Sequence, residues 1–343
     1  RRHRKMSIRE RNKQQLENGS FEIQARRFNG NFIDHYNLSS GALSINSKDS
    51  TFRIADLSLV PSSIPKSDLE KQFTRTVFQI GVKELLISSI NIAQWDALGT
   101  LEINKISIVE PSLEVSVDKK WPKPMHEKPL PSASIRNIPI PLTIDTLDIK
   151  SGNVLFHQIT NDDKPSFTLK FGQINAMGTN VSNDSLVLSK KPNFTFSANT
   201  LFFDSAKLDL RLIFNILSPD EAYHAKVNMD PMPFSVINPI LDGQANVQID
   251  GTLNALEVNF DANKYSANGT ADMDYSDLKL KLHKTKVTDE GTKEKNAWLL
   301  NTLVNPILRT NNNRENPNFK SGVVDYERPL DISFFGMLWH STK

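Results

Sequence analysis

The side chains of this sequence that are capable of acid–base or metal chemistry are scattered rather than grouped. Its seven histidines never fall at the H-x-H or H-x-x-x-H spacing that brings two imidazoles to one metal ion. They are His3, His35, His126, His157, His224, His283 and His340. The spacing therefore predicts that the chain holds no metal ion.

The nucleophiles and carboxylates give no catalytic pattern either. The chain has no cysteine, which excludes disulfides, thiolate metal sites and cysteine nucleophiles. It also lacks the G-x-S-x-G, G-x-G-x-x-G and phosphate-loop patterns. Carboxylates such as Asp145, Asp148, Asp272 and Asp274 alternate with apolar residues, which is typical of the solvent face of a strand. We predict a protein that is not an enzyme and uses no cofactor.

The composition sets further bounds on the function. The 343 residues include 41 basic and 39 acidic ones, a near balance that gives no argument for nucleic-acid binding. Hydrophobic residues make up 38% of the chain, enough for a core. No run approaches the roughly 18 apolar residues that span a bilayer. A membrane anchor would therefore have to precede Arg1, and we expect the sequence to be a fragment.

The strongest pattern is a repeated phrase, apolar-x-apolar-x-x-apolar-x-apolar. It occurs at Phe52–Leu59, Ile80–Ile87, Leu101–Ile108, Leu142–Ile149 and, more weakly, Leu169–Ala176. Alternation of period two is typical of a β-strand with one apolar face. The phrases at 101–115 and 142–156 match position by position, and each continues past Pro111 or Gly152 into a second alternating run. We expect a turn there, so that each repeat forms a hairpin-like unit.

The two-residue spacer inside each phrase has two interpretations. In a regular strand it would move the later apolar residues to the opposite face. A β-bulge restores the face and bends the strand, whereas a strand that crosses between two sheets would use both faces. The bend is the favoured interpretation. Bends at matched places in several strands predict a sheet that coils.

These patterns predict a mainly β protein with a long curled antiparallel sheet of meander repeats. We expect sixteen to twenty strands, with a few short helices toward the C-terminus at 234–241 and 296–308. The predicted organisation is a basic linker or helix start at 1–19, a β-groove body at 20–286 and a helical, aromatic cap at 287–343. Sixteen strands would extend about 75 Å at 4.8 Å per strand, too far for the helices to cover. Periodicity alone favours a sandwich, in which the apolar face meets a second sheet, over a sheet whose apolar face lines a groove.

Several longer stretches resemble the AsmA-like family of bacterial envelope proteins, in the form found in Bacteroidota. They are LEINKISIVEPSLEVSVDKKWP, IPIPLTIDTLDIKSGNVLFHQ and MPFSVINPILDGQANVQIDGTLNALEVNFDANKYSANGTADMDYSDLKLKLHK, followed by NAWLLNTLVNPIL and FFGMLW. The resemblance covers roughly residues 50–340. It implies a repeating β-groove related to bridge-like lipid transfer proteins, a body in the periplasm and an inner-membrane anchor. It also implies a role in phospholipid transport or outer-membrane homeostasis.

The predicted partners are therefore phospholipid or another acyl-chain lipid, a membrane surface and an envelope protein. We expect the lipid to contact apolar residues of the repeats, namely Ile103, Ile106, Ile108, Ile144, Leu147, Ile149, Leu169, Phe171, Val247 and Ile249. The C-terminal aromatic stretch either plugs one end of the sheet or enters a membrane interface through Phe334, Phe335, Leu338 and Trp339. The alternative function is a structural or assembly factor that pairs with envelope proteins through exposed strand edges.

Overall fold

The computed structural model describes residues 21–33, 36–62, 76–91, 95, 99–120, 126–159, 166–245, 247–288, 291–296 and 309–341. These residues form seventeen strands connected by pairing. The strands are β1 (Glu22–Ala25), β2 (Phe28–Ile33), β3 (Tyr36–Ser40), β4 (Leu43–Asn46), β5 (Thr51–Pro61), β6 (Thr76–Ile90), β7 (Leu101–Asp118), β8 (Leu142–Ile159), β9 (Phe167–Ser182), β10 (Asn193–Phe202), β11 (Ala206–Asn215), β12 (Tyr223–Met229), β13 (Met232–Pro233), β14 (Val247–Ala262), β15 (Ser266–Thr288), β16 (Gly291–Asn296) and β17 (Gly322–Glu327).

In space the strands follow nearly the same order as in the sequence. The β1–β4 and β2–β3 pairs join two successive parts of the same edge of β5, and from the other edge of β5 each strand pairs with the next as far as β12. β14 follows β12, and β15 follows β14, while β16 and β17 pair with different parts of β15. The described strands thus form one long open ribbon, which confirms the prediction of a mainly β fold with few short helices. Two strands of this ribbon, β16 and β17, come from the segment predicted as a cap.

One pairing departs from the predicted antiparallel sheet, because β7 and β8 run parallel. The two matching phrases lie side by side in register, with Ile103 opposite Ile144 and Val115 opposite Phe156. The predicted turns at Pro111 and Gly152 are wrong, since both residues lie inside strands of 18 residues. Parallel neighbours need a crossover rather than a hairpin, and residues 119–141 supply it.

The backbone turns left-handed at several points in these strands. Asp56, in the spacer of the first phrase, has φ of 49°, and Glu110 and Ser151, just beyond the phrases on β7 and β8, have φ of 46° and 55°. The flanking pairs put Asp56 level with Lys83, Lys83 level with Glu110, and Glu110 level with Ser151. We call this line of four residues the lower crease. Left-handed backbone in a strand is found at bulges, so the bend interpretation fits these positions.

A second line, the upper crease, crosses the sheet nearer the start of β7 and consists of Ser89, Asn104, Asp145 and Asn180. The flanking pairs place these four residues level with one another, and φ is 55° at Ser89 and 61° at Asn180. The register from β5 to β8 continues without a shift through both creases. Because neighbouring strands carry the extra residue at the same level, the pairing resumes in the same register on the far side of each crease.

The described helices are short. They are α1 (Pro131–Arg136), α2 (Ser185–Leu188), a 3-10 helix (Phe234–Ile237), α3 (Asn238–Ala245) and α4 (Phe334–Ser341). The helical segment predicted at 234–241 is confirmed. Residues 297–308 of the other predicted helix and the basic segment 1–19 lie outside the described residues.

The buried core lies in the β9–β17 half of the ribbon and has two parts. The first contains Leu212, Phe214, Tyr223, Val258 and Phe260 from the sheet, with Leu130 and Met337 from the α1 and α4 regions. The second contains Phe167, Leu169, Phe202, Leu253, Phe234 and Ile240, the last two from the 3-10 helix and α3. Helices therefore cover the apolar face of this half of the sheet.

Candidate functional site

The apolar side chains of β5–β8 lie in rows that run across the strands. Each row takes one residue from each of the four strands, at positions that pair with one another. The rows are Phe52, Ile87, Ile106 and Leu147; Ile54, Leu85, Ile108 and Ile149; and Leu59, Ile80, Leu113 and Val154. The lower crease separates the second row from the third. We call the surface formed by these twelve residues the apolar face.

Burial distinguishes this surface from the apolar side of the β9–β17 half of the ribbon. All twelve residues of the apolar face are half-buried. On the other half of the ribbon, comparable residues are buried: Leu212 is 3% exposed and Phe260 is 1% exposed. In the part of the chain that the structure describes, the helices packed on the two buried clusters cover β9–β17 and leave the apolar face of β5–β8 partly open. That face is the candidate site for an apolar ligand.

The intervening residues of the same strands are mostly polar, with Ala55, Leu86 and Val109 among them, and several form ion pairs. The Lys105 ammonium lies 2.7 Å from the Asp148 carboxylate, and Lys150 lies 3.6 Å from it. Arg53 pairs with Glu84 in the same way on β5 and β6. These side chains alternate with the rows, so β5–β8 form an amphipathic sheet with charged groups on one side and hydrocarbon on the other.

The electrostatics of Asp148 follow from this arrangement. The hydrogen bond from Lys105 holds the pKa of the Asp148 carboxyl below its usual range, and the Lys150 charge acts in the same direction. Partial burial opposes the shift, because it disfavours the charged form. Asp148 is therefore part of the structural charge pattern and has no feature of a catalytic acid.

This shift predicts a pH-dependent contribution to stability. A carboxyl whose pKa is lower in the folded state stabilises the protein above its unfolded pKa, about 4, and loses that contribution as the pH falls through the folded pKa. Asp148→Asn should lower the free energy of unfolding at pH 7 by less than about 1 kcal/mol, since Lys105 is partly exposed. In urea titrations at neutral and acid pH, the difference from wild type should shrink in acid. Lys105→Met should remove most of that pH dependence, and equal differences at both pH values would contradict the assignment.

The structure brings together five of the predicted lipid-contacting residues in the half-buried state. Ile106, Ile108, Leu147 and Ile149 belong to the apolar face, and Ile144 lies just above it on β8. Ile103, opposite Ile144, is buried, with 6% of its surface exposed. Thus the predicted residues of β7 and β8 form one continuous patch.

The other four predicted residues lie outside that patch. Leu169 is buried in the second core cluster, and Phe171 and Ile249 pack against the same cluster. Val247 is half-buried at the start of β14. Residues of β5 and β6 that complete the rows, such as Phe52 and Ile87, are not among the predicted lipid contacts. The repeated phrase, which occurs on both strands, is the signal that identifies them.

The four residues predicted to contact a membrane have different environments in the structure. The Phe334 ring lies 5.5 Å, centroid to centroid, from those of Phe214 and Tyr223. Leu338 packs against the first core cluster and Trp339 against the second. Phe335, by contrast, is 75% exposed. Of the four, Phe335 is the one available to a membrane surface.

The described residues contain no group of three or more histidine, aspartate or glutamate side chains arranged to hold a metal ion. None of the described helices has the length and apolar character needed to cross a bilayer. Neither a scan against protein-family models nor a search of curated proteins finds a match to this chain.

Proposed function

We propose that this protein is a non-enzymatic lipid-binding protein that holds acyl chains of phospholipid against the apolar face of β5–β8. The observation that supports this proposal is the set of twelve half-buried apolar side chains in three rows, backed by a face of ion pairs. An extended hydrocarbon chain along one row would meet an apolar side chain at every strand, about every 4.8 Å.

The energetics favour such an occupant. Burial of hydrocarbon contributes about 0.8 kcal/mol for each CH₂ group removed from water. In the first row, Ile106 lies between Ile87 and Leu147. A hydrocarbon chain along this row would therefore meet only apolar side chains there. A phospholipid headgroup would stay outside the rows in water, so the lipid would bury no charge.

The resemblance to the AsmA-like family extends the proposal to the cell envelope. We infer that the protein works in the periplasm, close to the inner membrane, in phospholipid transport or in outer-membrane homeostasis. The apolar face then serves to shield acyl chains from water while lipid is away from a bilayer. This role needs no catalytic group, in keeping with the scattered histidines and paired carboxylates.

Bound lipid is the direct test. The full chain, produced in bacteria and exchanged into detergent-free buffer, should retain about one phospholipid or more per chain, as a preformed apolar site predicts. Native mass spectrometry and solvent extraction with phosphate analysis would measure it. Folded protein that carries no extractable phospholipid, and binds none when mixed with fluorescent phospholipid, would overturn the proposal.

The ribbon's open edges favour a second candidate, a structural or assembly factor. At one edge, Ile23 and Phe28 are 51% and 54% exposed, and at the other Val323 is 82% exposed. Unpaired strand edges with apolar side chains can pair with a strand of another protein. Crosslinkers placed at β1, β2 and β17 would test this function. Capture of one envelope protein in stoichiometric amount, with no lipid bound, would favour it over the first.

A further inference from the structure

Four chain segments at one end of the sheet form a continuous border. They are the connections 183–192, 216–222 and 263–265 and the segment 328–335, which follows β17 and leads into α4. Since β9, β11, β14 and β17 all end at this side, the segments lie next to one another. We call this border the rim.

Hydrogen bonds tie the rim segments to one another. The Ile216 N–H donates to the Pro192 carbonyl at 2.9 Å, and the Lys264 N–H donates to the Asp220 carbonyl at 2.9 Å. The buried Arg328 guanidinium donates to the carbonyls of Lys264, at 2.9 Å, and Ile332, at 2.7 Å. The rim segments are thus held in fixed positions by these bonds.

Large apolar side chains project from this fixed border into solvent. Leu186 is 77% exposed, Leu217 53% and Tyr265 51%, and Phe335 at the start of α4 is 75% exposed. Near neighbours in the sequence point inward, since Leu188 retains 3% of its exposure and Ile216 none. The exposed residues therefore contribute nothing to the core, and all lie at one end of the sheet.

The lysines of the rim also differ from those of the sheet. Lys105, Lys170 and Lys226 on the strands each pair with a carboxylate. Lys190 and Lys191 are exposed and form no ion pair with any described residue. Lys264 lies 4.9 Å from the centre of the Tyr265 ring. Among the residues that the structure describes, Lys190 and Lys191 thus have no carboxylate partner and lie near exposed apolar side chains of the rim.

Two of the rim carboxylates are engaged by backbone N–H groups, whereas Asp220 is exposed and Asp331 half-buried. Asp184 accepts hydrogen bonds from the backbone N–H groups of Leu186 and Val187, at 2.8 and 3.3 Å. The buried Glu221 accepts one from the Leu130 N–H at 2.8 Å. Backbone donors thus compensate the charges of Asp184 and Glu221. The exposed rim lysines, Lys190 and Lys191, outnumber the exposed Asp220. This arrangement suits a partner that is negatively charged at its surface and apolar beneath.

We propose that the rim docks on a lipid bilayer that contains anionic phospholipid. Leu186, Leu217 and Phe335 enter the boundary between headgroups and acyl chains, while Lys190 and Lys191 meet phosphate groups. This proposal rests on the proposed function, because docking on a bilayer serves a protein that binds lipid. It adds the surface at which lipid would enter or leave the protein. The docking itself does not require the apolar face to be occupied.

Vesicle flotation tests the proposal with the full chain and vesicles of equimolar phosphatidylcholine and phosphatidylglycerol. Wild type should float with the vesicles. The triple substitution Leu186→Ser/Leu217→Ser/Phe335→Ser should lower the partition coefficient at least about tenfold, as the loss of buried hydrocarbon predicts. Lys190→Glu/Lys191→Glu should weaken binding to these vesicles and leave the weaker binding to pure phosphatidylcholine unchanged.

The matched control removes three exposed apolar residues from the edges of the ribbon, Ile23→Ser/Phe28→Ser/Val323→Ser, and should float like wild type. If wild type stays in solution, or if the rim variant floats as well as the edge variant, the rim proposal is wrong. Bound lipid separates the two proposals. Purified protein that holds phospholipid but fails to float contradicts the rim alone, whereas protein that floats but holds none contradicts the apolar face alone.

Discussion

Replacement of Ile87 and Leu147 by aspartate is expected to remove most of the phospholipid that co-purifies with the protein. These two residues flank Ile106 in the first row of the apolar face. A carboxylate in contact with an acyl chain loses its hydration at a cost of several kcal/mol, and each 1.4 kcal/mol lowers the affinity about tenfold. Mass spectrometry of extracts should therefore show at least about a tenfold loss of bound lipid per chain.

The chain offers a closely matched control. Ser88 and Thr146 are the sequence neighbours of Ile87 and Leu147, and they flank Lys105 on the polar side of the same strands. Ser88→Asp/Thr146→Asp adds the same two charges to the same strands but near an ammonium group. This variant should keep its lipid. If circular dichroism shows that both variants are folded and both carry the same amount of lipid per chain, the assignment of the apolar face as the lipid site is wrong.

Phe214→Ala should lower the free energy of unfolding by about 3–5 kcal/mol, the usual cost of removing a fully buried ring. Phe214 retains 1% of its exposure and stacks on Phe194 at 5.5 Å between ring centroids. The rings of Tyr223 and Phe334 lie 5.3 and 5.5 Å away on its other sides. Its loss opens a cavity where β10, β11, β12 and α4 meet, and chemical denaturation would measure the change.

The control for this prediction is Phe335→Ala, one residue beyond Phe334 and 75% exposed. It should change the free energy of unfolding by no more than about 0.5 kcal/mol, as is usual for surface positions. If Phe214→Ala and Phe335→Ala prove equally mild, the packing of α4 against β11 described above is wrong. If Phe214→Ala prevents folding altogether, Phe214→Leu provides a smaller loss that can still be measured.

The repeated phrase shows how far the sequence alone leads. Period-two alternation in Phe52–Leu59, Ile80–Ile87 and their relatives is enough to predict strands with one apolar side, and the spacers predict bends, of which left-handed backbone is present at Asp56. The match between 101–115 and 142–156 reflects the parallel register of β7 and β8. The sequence instead predicts two copies of a hairpin, because similarity does not reveal whether two copies lie side by side.

Other features depend on contacts that one strand's sequence does not contain. Glu110 and Ser151 adopt left-handed backbone although neither is glycine, and nothing in their residue type distinguishes them from polar neighbours such as Ser112. Likewise Leu169 and Ile149 have the same alternating surroundings, yet Leu169 is buried and Ile149 half-buried. The difference arises from the 3-10 helix and α3, which are about 70 residues further along the chain than Leu169.

The two creases restrict how this part of the protein can change length. A single inserted or deleted residue in any of β5–β8 would move one crease out of line with its neighbours and turn every later side chain of that strand to the wrong side. Length variation among natural variants should therefore be confined to the connections, and growth of the ribbon should proceed by whole strands. The equal lengths of β7 and β8, 18 residues each, agree with growth of the sheet by whole strands.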